Sequence, residues 1–244
     1  MLRVCVLYSG GKDSTLALMR AAEEHRVVCL ATLLPGSAEN PLFHYPNSHL
    51  TELQARAMDL PLVSARCPDS EAGALSALGK VLARAKEAYG AEAVVTGAVK
   101  SRYQLERFAR VCRSLGLEVL SPLWGLDEEE LLREVLRAGI KAVITRVAGY
   151  PLSPSLLGKQ LDEGLVERLV SLRGYVNPSG EGGEYETLVL DAPVFRRAVV
   201  PLEWRVEQAG EYEATLHVIR AMLAPKAGGD LGVRRNFYPS PRHP

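Results

Sequence analysis

Residues 4–19 read Val-Cys-Val-Leu-Tyr-Ser-Gly-Gly-Lys-Asp-Ser-Thr-Leu-Ala-Leu-Met, and this stretch predicts how the fold begins. The apolar run 2–7 is typical of a buried strand, and the residues after the glycines have the pattern of a helix. Gly10 and Gly11 allow a sharp turn and a close approach of the backbone to an anion. The turn would present free N–H groups at the positive end of a helix dipole. The stretch therefore predicts a phosphate-binding loop.

The side chains of this loop add further groups for binding a phosphate. Ser9 and Ser14 offer hydroxyls, Lys12 a cation, and Asp13 a carboxylate that could orient a metal or a nucleophile. The glycine spacing differs from those of the Walker and dinucleotide motifs. Ser-Gly-Gly-Lys-Asp-Ser instead resembles the pyrophosphate loop of the ATP pyrophosphatases, which cut ATP to AMP and pyrophosphate. The alternative is an ordinary strand-to-helix turn, but the full match between a strand and a helix favours nucleotide binding.

Composition predicts an ordinary globular protein that stays in the cytoplasm. Hydrophobic residues make up 47% of the chain and the formal net charge is zero, so no strong field favours nucleic acid or an anionic membrane. The chain enters its first strand at once, which leaves no room for a signal peptide, and no apolar run is long enough to span a bilayer. The four cysteines form no metal-binding or CxxC spacing, which indicates a reduced protein.

Strand-like and helix-like segments alternate through the first half of the chain. Strands are predicted at 26–34, 62–65, 92–96 and 117–120, and helices at 50–60, 70–89 and 104–115. This alternation predicts an α/β fold with a doubly wound parallel sheet, which binds ligands at the carboxyl ends of its strands. Thr32, Leu33 and Gly97 lie at such ends, and we expect them to contact the nucleotide.

The second half predicts a smaller α+β domain. Helices are expected to begin at Asp127 and to span 162–172, strands are expected at 141–147 and 187–190, and two antiparallel strands within 194–222. The expected domains are an ATP-binding domain at 1–122, a substrate and catalytic domain at 123–223, and a flexible tail at 224–244.

An acidic motif, Glu181-Gly182-Gly183-Glu184-Tyr185-Glu186, is the second stretch that indicates chemistry. Its carboxylates repel one another unless a cation, such as Mg²⁺, ammonium or arginine, lies among them. Strand alternation would place Glu184 and Glu186 on one face and Tyr185 on the other. Taken alone, such a charge run is more often a solvated turn before a strand.

The two motifs together resemble those of the diphthine–ammonia ligase family. Further matches are Phe-His-Tyr-Pro-Asn at 43–47, Gly-Ala at 97–98, and Pro-Leu-Trp-Gly at 122–125, so that the resemblance spans about residues 1–200. It implies an ATP-dependent amidation of diphthine, a modified histidine on translation elongation factor 2. The diphthine carboxylate would attack the α-phosphorus to give an acyl-adenylate, and ammonia would then displace AMP.

The resemblance also implies cofactors, partners and site residues. ATP and Mg²⁺ are the implied cofactors, and elongation factor 2 bearing diphthine and free ammonium are the implied partners, with a homodimer left open. Asp13 and Glu184 are candidate metal ligands, although the glutamates could instead attract ammonium and accept its proton. The candidate catalytic residues are Lys12, Asp13, Glu181, Glu184 and Glu186. The candidate nucleotide-binding residues are Ser9, Gly10, Gly11, Lys12, Asp13, Ser14, Thr32, Leu33 and Gly97. The candidate substrate-binding residues are His44, Asn47, Ser101, Tyr103, Gln104, Trp124, Gly182, Gly183 and Tyr185.

Two other functions use the same kind of loop. Enzymes that thiolate or otherwise modify tRNA bind ATP in this way, but the absence of paired cysteines and of a basic charge excess argues against them. A non-catalytic module that senses adenine nucleotides is the second alternative. The acidic motif distinguishes it from an enzyme, because a sensor needs no carboxylates at a reacting centre.

Overall fold

A computed structural model of the protein describes residues 1–36 and 46–226, with only the backbone of Gln104. The chain divides into two compact units, Met1–Leu126 and a second that begins at Asp127. Each unit contains its own sheet. Within the described ranges, no helix has both the length and the apolar character needed to cross a membrane.

The first unit is built on a parallel sheet with the strand order β3-β2-β1-β4-β5. The strands are Arg3–Leu7 (β1), Arg26–Pro35 (β2), Leu62–Cys67 (β3), Ala93–Val95 (β4) and Glu118–Leu120 (β5). From β1 the chain adds β2 and β3 on one side of the sheet and then crosses back to add β4 and β5 on the other side. Parallel sheets bind ligands beyond the carboxyl ends of their strands, at the point where the strand order switches in this way. The predicted α/β fold is confirmed.

The helices of this unit are Lys12–Glu24 (α1), Thr51–Met58 (α2), Glu71–Tyr89 (α3) and Arg102–Ser114 (α4), with a 3₁₀ turn at Ser48–Leu50. α3 begins after Ser70, whose side chain accepts a hydrogen bond from the backbone N–H of Gly73. α1 begins after Gly11, and no side chain of the described residues caps it. The start of α1 therefore carries no side-chain cap that would compete with a ligand.

The core of the first unit lies between the sheet and its helices. Cys5, Leu78 and Cys112 belong to one fully buried cluster that joins β1 to α3 and α4. Val4 and Val6 are also fully buried and point to the opposite face, because side chains alternate along a strand. α1 contacts β1, β2 and β4. Helices thus cover both faces, as a doubly wound sheet requires.

The second unit combines an antiparallel sheet with two side-chain-capped helices. The sheet order is β7-β6-β9-β8. The strands are Lys141–Ala148 (β6), Tyr185–Asp191 (β7), Arg197–Gln208 (β8) and Glu213–Pro225 (β9), and the helices are Glu128–Arg137 (α5) and Glu163–Ser171 (α6). Asp127 caps α5 and Asp162 caps α6, so both helices begin at a carboxylate. The predicted second α+β part of the fold is confirmed.

The expected start of the C-terminal tail at residue 224 is wrong. β9 continues to Pro225, and the Nζ of Lys226 donates to the carbonyl of Ala192 at 2.7 Å and lies 2.9 Å from Oδ1 of Asp191. Pairing with β8 and this ion pair hold residues 224–226. Residues 227–244 lie outside the described part of the chain.

Candidate functional site

The turn between β1 and α1 brings the predicted loop residues together. Gly10 has a φ of +85°, a left-handed conformation that glycine adopts without strain. Ser9 Oγ accepts a hydrogen bond from the N–H of Gly11 at 3.4 Å, and it lies 3.1 Å from Ser14 Oγ. Hydroxyls and backbone N–H groups therefore gather at the uncapped start of α1, where an anion would be stabilised.

Lys12 and Asp13 form an ion pair within this loop. Lys12 is only 3% exposed, and its Nζ donates to Oδ2 of Asp13 at 2.9 Å. The other oxygen of Asp13, Oδ1, is buried and has no hydrogen-bond partner among the described residues. A buried acceptor without a partner is costly. This oxygen therefore marks a position where a cation or a donor would be stabilised.

Gln54 of α2 also shapes the loop, and our sequence analysis missed it. Its side chain is fully buried, and its Nε2 donates to the carbonyl of Gly10 at 3.0 Å. A Cβ on Gly10 would clash with Oε1 of Gln54, so the loop and the side chain fit closely. The sequence feature that could have identified Gln54 is its position, since it is an amide beside the apolar residues Leu50, Leu53 and Ala57 of the predicted helix face.

Gly97 stands at the end of β4, directly against the start of α1. A Cβ there would lie 3.0 Å from the backbone N of Ser14 and 3.1 Å from the carbonyl carbon of Asp13. The missing side chain thus allows a close approach of two backbones. It also keeps the edge of the phosphate-binding loop uncovered.

The side chains of Thr32 and Leu33 have structural contacts that do not fit the predicted contact with nucleotide. The Thr32 hydroxyl donates to the carbonyl of Tyr8 at 2.6 Å, which fixes the backbone just before the loop. Leu33 is buried in the core cluster beneath α3. Because side chains alternate along β2, these two face opposite sides of the sheet.

Tyr103 connects two helices at the surface. Its hydroxyl donates to the carboxylate of Glu71, and Nε of Arg107 donates to the same carboxylate at 2.6 Å. Both hydrogen bonds lower the pKa of Glu71, and the one from Tyr103 lowers it more. The Arg107 guanidinium lies 3.4 Å from the centroid of the Tyr103 ring. The network joins the beginnings of α3 and α4.

The other candidate substrate residues of the first unit are spread over several loops. Asn47 is buried with a φ of +61° and accepts a hydrogen bond from the N–H of Leu50 at 2.9 Å, which begins the 3₁₀ turn. Ser101 is half-buried and precedes α4, whereas Trp124 is exposed. His44 and the side chain of Gln104 lie outside the described residues.

The acidic motif forms a tight loop before β7. The N–H of Asn177 donates to Oε1 of Glu184 at 2.8 Å, while Oε2 is buried without a hydrogen-bond partner among the described residues. A Cβ on Gly182 would lie 2.6 Å from Oε1 of Glu184, so this glycine makes room for the carboxylate. Gly183 has a φ of +85° and closes the turn. The loop thus places one carboxylate oxygen where a cation would be stabilised.

The remaining residues of the motif differ in their surroundings. Glu186 lies on β7 with its Oε1 3.8 Å from Nη1 of Arg146, and Glu181 is half-buried. Tyr185 is only 2% exposed, and its hydroxyl donates to the carbonyl of Pro178 at 2.7 Å. The prediction that Tyr185 contacts the substrate does not fit this burial, because its ring packs inside the unit and its hydroxyl holds the loop.

The two loops suit opposite charges. The loop at α1 presents N–H groups and the buried Lys12, whereas the loop before β7 presents Glu184. In the described part of the chain, no three or more His, Cys, Asp and Glu side chains are grouped to hold a metal ion. A metal bound here would therefore take other ligands, as Mg²⁺ does when it binds through one or two carboxylates together with substrate phosphates.

Comparison with known proteins gives consistent matches over both units. The family model of the diphthamide synthase N-terminal domain matches residues 2–119, and that of the C-terminal domain matches residues 127–223. A protein named diphthine–ammonia ligase from Rattus norvegicus is 38% identical over 223 residues, covering 82% of this chain and 82% of its own length. Its counterpart from Homo sapiens is 37% identical with the same coverage.

A solved structure described as a predicted subunit of tRNA methyltransferase from Methanocaldococcus jannaschii is a distant match. It is 16% identical, has a TM-score of 0.42, and covers 79% of this chain and 98% of its own. Both family models describe a diphthamide synthase, and both of the relatives described above are named diphthine–ammonia ligase. The chain therefore belongs to the diphthine–ammonia ligase family.

Proposed function

We propose that this protein is an ATP-dependent ligase that amidates diphthine on translation elongation factor 2 to diphthamide. The observation that carries the proposal is the phosphate-binding loop at the uncapped start of α1, in a chain whose family matches extend over both units. We assign ATP binding to the first unit, and the handling of ammonium to the second. All four cysteines are buried thiols, which supports a reducing compartment such as the cytoplasm.

The first step activates the diphthine carboxylate, which by itself is a poor electrophile. An oxygen of the diphthine carboxylate attacks the α-phosphorus of ATP, the new P–O bond forms, and the bond from this phosphorus to the bridging oxygen breaks. Pyrophosphate leaves and an acyl-adenylate remains. The N–H groups at the start of α1, together with Lys12, would stabilise the negative charge that develops on pyrophosphate.

The second step uses ammonium as the source of nitrogen. Ammonium gives a proton to a carboxylate, the resulting ammonia attacks the acyl carbon, and AMP leaves with its electron pair as a second proton is lost. We assign the accepting carboxylate to Glu184, because its Oε2 is buried without a hydrogen-bond partner in the described residues. Glu186 is the weaker candidate, because Arg146 lies 3.8 Å from its Oε1.

The residues present fit a divalent cation bound together with ATP. The buried Oδ1 of Asp13 has no hydrogen-bond partner among the described residues and lies at the loop that would hold the phosphates, so Asp13 would hold Mg²⁺. When bound, Mg²⁺ neutralises charge on the phosphate oxygens. The ion pair to Lys12 orients the Asp13 carboxylate through its other oxygen.

Product analysis tests the proposed function. The protein is incubated with ATP labelled at the α-phosphate, Mg²⁺ and ammonium, with and without elongation factor 2 that bears diphthine. We expect labelled AMP only in the complete mixture, together with a mass change on the factor from carboxylate to amide. ADP as the product, or AMP that depends on tRNA instead of the factor, would contradict the proposal.

A further inference from the structure

The carbonyl group of Gly11 lies where the phosphate-binding loop meets α1, and three donors hold it. The N–H of Thr15 donates to this oxygen at 3.2 Å, as the first hydrogen bond of the helix. The hydroxyl of Thr15 donates to it at 2.9 Å, and the hydroxyl of Ser14 donates to it at 3.1 Å. Side chains therefore fix the orientation of this carbonyl in addition to the helix itself.

Tyr8 lies behind Thr15 and orients its hydroxyl. Tyr8 is 2% exposed, and its Oη lies 3.2 Å from Oγ1 of Thr15. The Thr15 hydroxyl has a single proton, which it donates to Gly11, so Tyr8 is the donor in its contact with Thr15. Burial raises the pKa of Tyr8, so its hydroxyl keeps the proton that it donates. We name Tyr8 and Thr15 the hydroxyl pair.

Ser14 cannot hold the Gly11 carbonyl and bind a phosphate at the same time. Its hydroxyl also has a single proton, and the oxygens of a bound triphosphate would accept that proton in a charge-assisted hydrogen bond. Ser14 is a predicted phosphate ligand, and its Oγ lies 3.1 Å from that of Ser9 in the loop. Thr15, in contrast, is fully buried, so its hydroxyl stays with Gly11 when the loop is occupied.

The orientation of this carbonyl matters because its oxygen carries partial negative charge. Gly10 and Gly11 have no side chains, so their peptide groups rotate with little steric resistance. A Gly11 carbonyl that turned out of α1 toward the anion would repel it. Gln54 already holds the carbonyl of Gly10. With the hydroxyl pair, each glycine carbonyl of the loop is held by a buried side chain.

We propose that Thr15 and Tyr8 are positioning residues, which hold the Gly11 carbonyl within α1 while Ser14 donates its proton to the bound phosphate. Two neighbours on α1 thus have different roles, since Ser14 contacts the ligand and Thr15 holds the loop. The N–H of Lys12 belongs to the same planar peptide as this carbonyl, so its direction is fixed as well. This inference rests on the proposed function for the binding of ATP, but not for the amidation.

Calorimetric titration of the full-length protein with MgATP and, separately, with pyrophosphate tests the hydroxyl pair without turnover. Thr15→Val keeps the shape of the side chain but lacks the hydroxyl, and we expect it to raise both dissociation constants about tenfold. Thr15→Ser restores the donor and should bind within about threefold of the wild type. Equal binding by the Val and Ser variants would overturn the proposal.

Thr51→Val is the matched control for these titrations. It removes a hydroxyl of the same unit that is similarly buried and donates to the carbonyl of Ser48, outside the phosphate-binding loop. We expect this variant to bind MgATP and pyrophosphate like the wild type. Binding that is weakened as much as in Thr15→Val would show that the loss of any buried hydroxyl has this effect, and would contradict the proposal.

A double variant separates positioning from a general contribution to stability. Thr15→Val alone leaves the buried Tyr8 hydroxyl without this acceptor, whereas Thr15→Val together with Tyr8→Phe removes both polar partners. In denaturant titrations, the double variant should recover much of the stability that Thr15→Val loses. Its dissociation constant for MgATP should nevertheless stay about tenfold above that of the wild type. Recovery of affinity together with stability would show that the hydroxyl pair only supports folding, and would overturn the proposal.

Steady-state kinetics then distinguish this inference from the proposed function. In the amidation assay, Thr15→Val should raise the KM for ATP and leave the KM for ammonium unchanged. If the wild type binds MgATP but shows no amidation, the proposed function fails, while the titrations still decide the role of the hydroxyl pair. If amidation occurs and the KM for ATP is unchanged in Thr15→Val, the hydroxyl pair has no positioning role. A wild type that binds neither MgATP nor pyrophosphate would overturn both proposals.

Discussion

The phosphate-binding loop of the first unit and the acidic loop of the second use the same devices for opposite charges. Each contains at least one glycine in a left-handed conformation and a buried carboxylate oxygen without a hydrogen-bond partner among the described residues. At Asp13 the second oxygen pairs with Lys12 at 2.9 Å, whereas at Glu184 it accepts a hydrogen bond from the backbone N–H of Asn177 at 2.8 Å. The first loop therefore suits an anion together with its counter-ion, and the second suits a cation.

Helix ends show the same contrast between the two units. Asp127 and Asp162 cap α5 and α6, so the positive ends of these helices are already occupied by carboxylates. The start of α1 has a glycine at that position, and no described side chain caps it. An uncapped helix that begins at the carboxyl end of a central strand is suited to receive a phosphate.

Removal of the lysine would have the largest effect on the phosphate-binding loop. We expect Lys12→Ala to lower kcat/KM for AMP formation by about 10²- to 10³-fold, because one preorganised cation at the departing pyrophosphate is lost. Labelled-AMP assays measure this effect, and circular dichroism checks that the variant is folded. Lys80→Ala, at an exposed position on α3, is the control. Wild-type activity in Lys12→Ala would show that the loop does not hold the leaving group.

The acidic loop predicts a difference between two neighbouring glutamates. Glu184→Gln should raise the KM for ammonium or lower kcat by about 10²-fold, because the proton acceptor is lost. Glu186→Gln should change the ammonium dependence less, since Arg146 lies near this carboxylate. Initial rates over a range of ammonium concentrations measure both variants. A larger effect from Glu186→Gln would move the assignment from Glu184 to Glu186.

The contact between α2 and the phosphate-binding loop predicts a moderate effect. Gln54→Leu removes the donor to the carbonyl of Gly10 and should cost about 1–3 kcal/mol of unfolding free energy. We also expect the KM for ATP to rise by about tenfold with a smaller change in kcat, because a loop held less well loses binding energy. Denaturant titration and ATP kinetics measure the two effects. Glu52→Leu, on the exposed side of α2, is the matched control, and an equal effect there would contradict the positioning role.

The capped helix α5 predicts the smallest effect, and it depends on pH. The hydrogen bond from Arg173, followed by backbone N–H groups, lowers the pKa of Asp127 from 3.8 to about 2. The folded state thus favours the carboxylate, so this contribution to stability is present above pH 3.8 and is lost as the pH falls toward 2. Asp127→Ser keeps a capping oxygen but removes the charge.

Thermal unfolding between pH 5 and pH 2 measures the effect of Asp127→Ser. The wild-type melting temperature should fall slightly more steeply with acid than that of the variant. The difference should be small, because the Asp127 side chain is 51% exposed and solvent screens the pair. Parallel pH profiles for the two proteins would show that the pair with Arg173 does not contribute.

Local pattern was sufficient to predict much of this protein. The strand, glycine turn and helix of residues 3–24 are encoded by neighbouring residues, as are the alternation of strands and helices and the helix starts at Asp127 and Asp162. The acidic motif could likewise be recognised in the sequence, because its residues are neighbours in the chain. Such features depend on backbone conformation and on side-chain periodicity, which act over a few residues.

Long-range contacts decided what each candidate residue does. Gln54 bonds to Gly10 and Tyr103 bonds to Glu71, although many residues separate each pair along the chain. Likewise, Arg146 on β6 distinguishes Glu186 from Glu184, and burial gives Tyr185 a role in packing. The sequence by itself determined the fold class and the two motifs. Only the tertiary structure decided which carboxylate oxygens lack partners, because hydrogen-bond satisfaction depends on residues brought together by folding.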